Sequence, residues 1–170
     1  MAGNEIHYLP GRECFHLHVI LSGKGSITTG GRTHHLHFGQ MFLTRPEEEI
    51  TYGPDQEDPW TYCWMSFDGE NALNYVESAG FKPGFCWQDC YVDHQEFNTL
   101  VQRVLSRPEL TLANDLMRLA ALLDYLSLAI ESNYKSQQVV RHRHEYAPDV
   151  YVNHALEYIR KKYDTIRVTD

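Results

Sequence analysis

Between Cys14 and Phe67 the apolar residues come in short runs separated by glycine, proline and charge, and several of these runs alternate with period two. Six segments read as strands: Cys14 to Leu21, Ser26 to Thr29, Arg32 to Leu36, Met41 to Thr44, Ile50 to Tyr52 and Trp60 to Phe67. Gly23-Lys24-Gly25 and Gly30-Gly31 supply positive-φ residues for tight hairpins, while Gly39-Gln40 and the stretch from Pro54 to Pro59 make longer connections. So many short strands in so little chain predict an antiparallel barrel or sandwich.

From Glu70 the period becomes helical. A first helix runs to Ala79 and stops at Gly80; a second, Glu96 to Leu105, has Asp93 as its N-cap and ends before Pro108. Between Thr111 and Asn133 a longer helix carries Leu112, Leu116, Leu119, Leu123, Leu126 and Ile130 at 4-3-4-3-4 spacing. That is heptad spacing, and it predicts a helix–helix contact. Leu122, Tyr125 and Ala129 widen the stripe, so one edge of this helix is expected on its own barrel and the other on a partner. Lys135 to Pro148 is polar and aperiodic and reads as a linker. Asp149 then caps a helix over Tyr151 to Lys162, and Thr169-Asp170 suits the cap of a further helix, so residues 149–170 read as the start of a second domain.

Two strands carry chemistry. On Trp60 to Phe67, Trp60, Tyr62, Trp64 and Ser66 share one face, and Thr61, Cys63, Met65 and Phe67 the other. Flat rings beside a few fixed polar groups suit a sugar, whose C–H faces stack and whose hydroxyls need partners. On Phe15 to Ser22 the face of Phe15, Leu17, Val19 and Leu21 is apolar, and His16 and His18 lie opposite. Simple patterning sends those histidines to water; a barrel with a partly polar interior turns them inward as hydroxyl partners. Glu48 shares strand parity with Tyr52 and is a further candidate for the pocket.

Composition narrows the class. Of 170 residues 42% are hydrophobic and 22% charged, which fits an ordinary globular domain with an appendage. The longest apolar runs, such as Leu119 to Leu123, are far too short to span a bilayer, and no basic-apolar leader opens the chain, so a cytoplasmic, membrane-free location is expected. Four cysteines without a second Cys/His pair at zinc-finger spacing are expected to be free thiols. The net charge of −8 argues against a phosphate-binding surface. The charge is uneven: residues 135–170 hold seven Lys/Arg and five Asp/Glu, net +2, which leaves eight against eighteen, net −10, for residues 1–134.

Taken in order, Leu21-Ser22-Gly23-Lys24-Gly25, Gly30-Gly31-Arg32, Phe38-Gly39-Gln40-Met41-Phe42-Leu43, Arg45-Pro46, Tyr52-Gly53 and Asp58 to Gly69 resemble the N-terminal effector domain of AraC/XylS-type transcriptional regulators. The later helices resemble that family's dimerisation helices, and Tyr151 to Asp170 the beginning of its helix-turn-helix domain. The resemblance implies a mainly β plus α fold: a cupin/jelly-roll-type β-barrel over residues 1–69, a helical dimerisation segment over 70–134, a linker over 135–148 and the start of a DNA-binding domain over 149–170. It implies a bacterial, non-enzymatic sensor that binds a small effector, often a sugar, works as a homodimer and reaches DNA only in the whole protein. Tyr52, Tyr62 and Trp64 match pocket positions of the family, and Tyr8 falls near another on the preceding strand. Leu116, Leu119, Leu123, Leu126 and Ile130 are the expected dimer contacts.

The competing class is a metal-dependent cupin enzyme, such as a sugar isomerase or dioxygenase. In such enzymes a His-x-His pair precedes the glycine that Gly23 resembles by about eleven residues and a Glu by about seven. Here His16 stands at the Glu position, no pair lies near Pro10 to Arg12, and Thr51 stands where a later His is needed. No metal and no cofactor are therefore expected.

Overall fold

A computed structural model of the chain describes residues 7–9 and 13–141, with side chains from residue 13 to 138. The expected helix at Tyr151 to Lys162 and the rest of the second domain lie outside the described residues. Residues up to Ser136 form one compact unit, and Gln137 begins a second.

Among the described residues, eight strands make two four-stranded antiparallel sheets. One has the order β1 (His7–Leu9), β6 (Ile50–Pro54), β3 (Lys24–Thr29), β4 (Arg32–His37); the other has β7 (Thr61–Phe67), β2 (Phe15–Ser22), β5 (Gln40–Thr44), β8 (Trp87–Asp89). Three helices follow the seventh strand: α1 (Ala72–Ser78), α2 (His94–Leu105) and α3 (Leu112–Arg141). This is the cupin-type architecture of a two-sheet barrel followed by helices.

The strand runs predicted from the sequence all form, within two residues at each end, and the differences have local causes. Gly23-Lys24-Gly25 is not a hairpin, because β2 and β3 belong to different sheets. It is the crossing between them, held by Lys24 N–H donating to Asp58 O (2.9 Å) and Trp60 N–H to Lys24 O (3.0 Å). Gly23 has φ 68°, and a Cβ there would overlap the Pro59 carbonyl; a Cβ on Gly25 would overlap the Trp60 indole. Gly30-Gly31 does close the β3–β4 hairpin, with φ 53° and 73°.

Two expected boundaries move. The barrel does not end at residue 69, since β8 adds a fourth strand to the second sheet with Phe42 opposite Trp87 and Gln40 opposite Asp89. Three residues are too few to show a period, so sequence reading passes over them. Nor does a linker begin at 135: α3 runs on to Arg141. Glu131 and Lys135 form an i,i+4 ion pair at 2.7 Å, the Ser136 hydroxyl donates to Asn133 O, and no glycine or proline interrupts before Pro148. The predicted cap of α2 holds, and α3 starts on a cap of its own. Asp93 Oδ1 accepts from Gln95 N–H at 2.9 Å at the start of α2, and Thr111 Oγ1 accepts from Asn114 N–H at 3.2 Å at the start of α3.

Along β2 and β5 the sheet of β7, β2, β5 and β8 is buried on both faces, which is why β5 reads as an unbroken buried run, while on β7 the face of Trp64 and Ser66 is exposed. Its outer face, with Leu17, Val19, Met41, Leu43, Cys63, Met65 and Phe67, packs on α1, α2 and α3 through Val76, Phe97 and Tyr125. Tyr125 is the pin. Its hydroxyl donates to Leu17 O at 3.0 Å, its ring meets Phe97 edge-on at 4.8 Å, and burial drives its phenol well above the usual tyrosine range. The inner face points between the sheets into a second cluster of Ile20, Ile27, Leu36, Phe42, Ile50 and Trp60.

Helix α3 meets its own barrel through Ala121, Tyr125, Ala129 and Ser132, all fully buried. The leucine stripe divides accordingly. Leu112, Leu116, Leu119 and Leu123 are exposed, at 77%, 59%, 51% and 47%. Leu126, the stripe member rotated furthest toward Tyr125, is buried in the domain core, and Ile130 is half-buried against it. The expected dimer contact at Leu126 is thereby corrected: its side chain is occupied within this chain. Among the described residues no helix is long and apolar enough to cross a membrane.

Candidate functional site

The inner face of the second sheet is built in rows set by strand register. His18 sits opposite Trp64 on one side and Phe42 on the other, and one row along, His16 sits opposite Ser66 and Thr44. The period-two rule then brings Ile20 next to Tyr62 in the third row. Both histidines point inward, at 3% and 2% exposure, so the simple reading that sends them to water is overturned. Water is not the only destination for a polar face when two sheets enclose one.

His18 is the hub of this interior. Its ring stacks on Phe42 at 4.2 Å and 3°, lies over Trp64 at 6.0 Å, and is met edge-on by Tyr52 at 5.5 Å and Tyr62 at 5.4 Å. Tyr52 comes from the facing sheet, where it pairs with Ile27 and His7. Four of the five pocket residues predicted from the sequence, His18, Tyr52, Tyr62 and Trp64, thus converge from three strands. The fifth, Tyr8, belongs to β1 and pairs with Thr51; its side chain is not among those described.

The aromatic rows grade from closed to open. Trp60 is buried against Phe42 (5.7 Å, 17°) and fills the space that Gly25 leaves. Tyr62 is half-buried, and Trp64 is 45% exposed. A large ring left that open beside buried rings marks the accessible side of the cluster.

Polar groups concentrate in the row beyond Trp64. The Ser66 hydroxyl lies 2.8 Å from His16 Nδ1, and Cys14 Sγ lies 3.4 Å from His16 Nε2. Thr44 Oγ1 and Glu48 Oε2 are buried with no hydrogen-bond partner among the described residues. The other Glu48 oxygen accepts from the Thr29 hydroxyl at 3.0 Å. Sequence parity had placed Glu48 as a candidate; Thr44 went unread because a threonine inside a strand carries no signal of its own. His16 and His18 have ring centroids 6.3 Å apart, and among the described residues no three His, Cys, Asp or Glu side chains are grouped to hold a metal ion. The cysteines are free, and burial pushes Cys63 up to about 11 and raises Cys86 and Cys90.

Between the sheets lie stacked rings, a histidine hub and a polar row, with Trp64 open at the edge. Residues 11–126 match the AraC-like ligand binding domain. The chain belongs to that family. Among similar proteins, the Msm operon regulatory protein of Streptococcus mutans is 29% identical over 162 residues, covering 94% of this chain and 56% of that protein. The lactose operon transcription activator of Staphylococcus xylosus is 38% identical over 60 residues, covering 35% of this chain and 22% of that protein. The AraC-like chain therefore spans about half the length, or less, of the curated relatives it matches. A solved cupin protein from Bacteroides fragilis overlays with a TM-score of 0.33 at 20% identity, covering 37% of this chain and 58% of that one.

Proposed function

We propose that this AraC-like domain senses a carbohydrate inside its barrel and transmits occupancy through a homodimer to DNA-binding domains of the whole protein, without catalysing a reaction. The observation that carries the reading is the convergence of His18, Tyr52 and Tyr62 on one buried ring cluster with half-open Trp64 at its edge. Stacked rings cover the C–H faces of a sugar, and hydroxyl partners fix its orientation. Operon regulators among the relatives, one of them named for lactose, agree with a sugar effector.

The dimer half of the reading is supported by the exposed leucines of α3. Leu112, Leu116, Leu119 and Leu123 follow 4-3-4 spacing on the side of the helix turned away from Ala121, Tyr125 and Ala129. A long exposed leucine stripe at heptad spacing is self-complementary and is removed from water when two copies pair. Ligand occupancy then biases DNA binding by shifting which arrangement of the pair is populated.

The test is a melting-temperature panel of mono-, di- and trisaccharides, lactose included, over a concentration series. A ligand specific for the native state raises stability as RT ln(1 + [L]/Kd), so a saturable upward shift is expected with at least one sugar. A flat response across the panel rejects the carbohydrate. For the dimer, sedimentation equilibrium is expected to give two copies at tens of micromolar protein, and Leu119→Glu to give a folded monomer. A wild-type monomer rejects it.

A further inference from the structure

Two buried oxygens, one in the interior polar row and one in the connection that follows it, have no partner among the described residues. Thr44 is 3% exposed and faces inward beside His16, yet its Oγ1 has no partner among the described residues. Glu48 Oε2 is likewise buried without a partner, while Thr29 holds the other carboxylate oxygen. Thr44 is the last residue of β5 and Glu48 lies four residues on, within the connection to β6, so both belong to that end of the barrel. That connection turns at Glu47, which adopts φ 57°, a left-handed conformation seldom used by a residue other than glycine. Glu47 and Glu49 are exposed on either side, and Glu48 alone of the three is withdrawn. The thiol of Cys86, part of the interior cluster, is pushed up first by its burial and next by the charge of Glu48, which agrees with the carboxylate lying on the core side.

A buried hydroxyl and a buried carboxylate oxygen without partners are each unfavourable, and such groups persist in folded proteins where use supplies the missing partner. The chemistry of the partner follows from the two atoms. Carboxylate oxygen only accepts, so it calls for a donor; a threonine hydroxyl gives or takes. A carboxylate inside a barrel also repels a second negative charge in a low-dielectric space.

We propose that Thr44 and Glu48 form the hydroxyl-reading end of the ligand site and make the barrel select an uncharged polyol over the same sugar carrying a carboxylate or a phosphate. The aromatic rows at His18 and Trp64 stack the sugar's apolar face, and its hydroxyls satisfy Glu48 Oε2 and Thr44 Oγ1. This inference rests on the carbohydrate reading above, and its test separates the two.

The probes are lactose, glucose and galactose, set against glucuronate, galacturonate and the 6-phosphates of glucose and galactose, with affinities read by calorimetry on the 170-residue chain. A neutral sugar is expected to bind at least about tenfold more tightly than its anionic counterparts. Glu48→Gln keeps an acceptor for Thr29 and removes the charge. It is expected to bring the neutral-to-anionic ratio down to about threefold or less and to weaken the neutral sugar about tenfold. Thr44→Val replaces an unsatisfied hydroxyl by a methyl, so it is expected to hold or raise the melting temperature while weakening the neutral sugar. Two outcomes overturn the inference and leave the carbohydrate reading standing. One is a neutral sugar whose affinity and selectivity both variants leave unchanged, and the other is an anionic sugar that the wild type prefers. A Thr44→Val melting temperature lower by several degrees assigns that hydroxyl to the fold and overturns its part. If no probe binds the wild-type chain, the carbohydrate reading fails and this inference fails with it.

Discussion

Along β2 and β5 the two faces of the second sheet are both withdrawn from water, and they differ in chemistry. The outer face is apolar throughout, from Leu17 to Phe67, and α1, α2 and α3 close over it. The inner face alternates into His16, His18, Thr44 and Ser66 among rings, and it leaves Trp64 open and, among the described residues, the buried Thr44 Oγ1 without a partner. One face satisfies itself; the other keeps a buried polar atom unpaired. Burial alone therefore does not separate a core from a binding site. What separates them is whether the buried groups have already found their partners.

The contrast is broken most severely on the outer face. Tyr125→Ala removes the ring that fills the space between Phe97 and the sheet together with the hydroxyl bond to Leu17 O. It is expected to lower stability by about 3–5 kcal/mol in denaturant unfolding, as for other large buried rings. A loss below about 1 kcal/mol would show that the helices do not complete the outer face.

The same face has a pH signature. The Cys63 thiol is raised by burial from 9.0 to about 11. Below pH 9 both folded and unfolded forms hold the proton, and the stability is fully present. As pH rises from about 9 to 11 the unfolded chain loses the proton first, so stability falls, by roughly 2–3 kcal/mol over that window. Urea midpoints between pH 8 and 11 check this, with Cys63→Ala expected to flatten the profile.

The inner face answers in the opposite sense. Trp64→Ala trims a half-exposed ring and is expected to change stability by about 1 kcal/mol or less, while the melting shift given by any effective sugar disappears. A large loss of stability with the shift retained would make Trp64 a structural residue and remove the difference between the faces. The smallest effect is expected at Glu47. Its left-handed φ of 57° suits glycine, and Glu47→Gly is expected to gain about 0.5–1 kcal/mol without altering the sugar response.

Much of this was legible in the chain. Period-two runs and glycine breaks are local signals, so they located the strands of the barrel; Asp93 marked a helix start because a cap is a contact between near neighbours. Tyr62 and Trp64 were legible as a pair because alternation fixes which residues of one strand share a face, whereas Tyr52, on another strand, was named through the family resemblance. Thr44 was not legible, since its significance depends on a partner that strand register alone places or withholds. The leucine stripe of α3 shows the same limit. Its apolarity suggested a helix with two edges, but which leucines remain free depended on Ala121, Tyr125, Ala129 and Ser132 seating the helix on the barrel.

By itself the sequence determined the period of every long element, the breaks between strands, the cap of one helix and the aromatic equipment of one strand. Those are properties of residues within a few positions of one another, where geometry is set by φ, ψ and the pleat. Only the tertiary structure decided that His16 and His18 turn inward, that Gly23 to Gly25 carry the chain between sheets, that β8 closes the second sheet, and that Leu126 is consumed by the core while Leu116, Leu119 and Leu123 stay exposed. Each of these depends on what stands across the sheet or helix from a residue. A pattern in one strand shows which side chains travel together, and the second layer decides whether the side they share meets water, other side chains or a ligand.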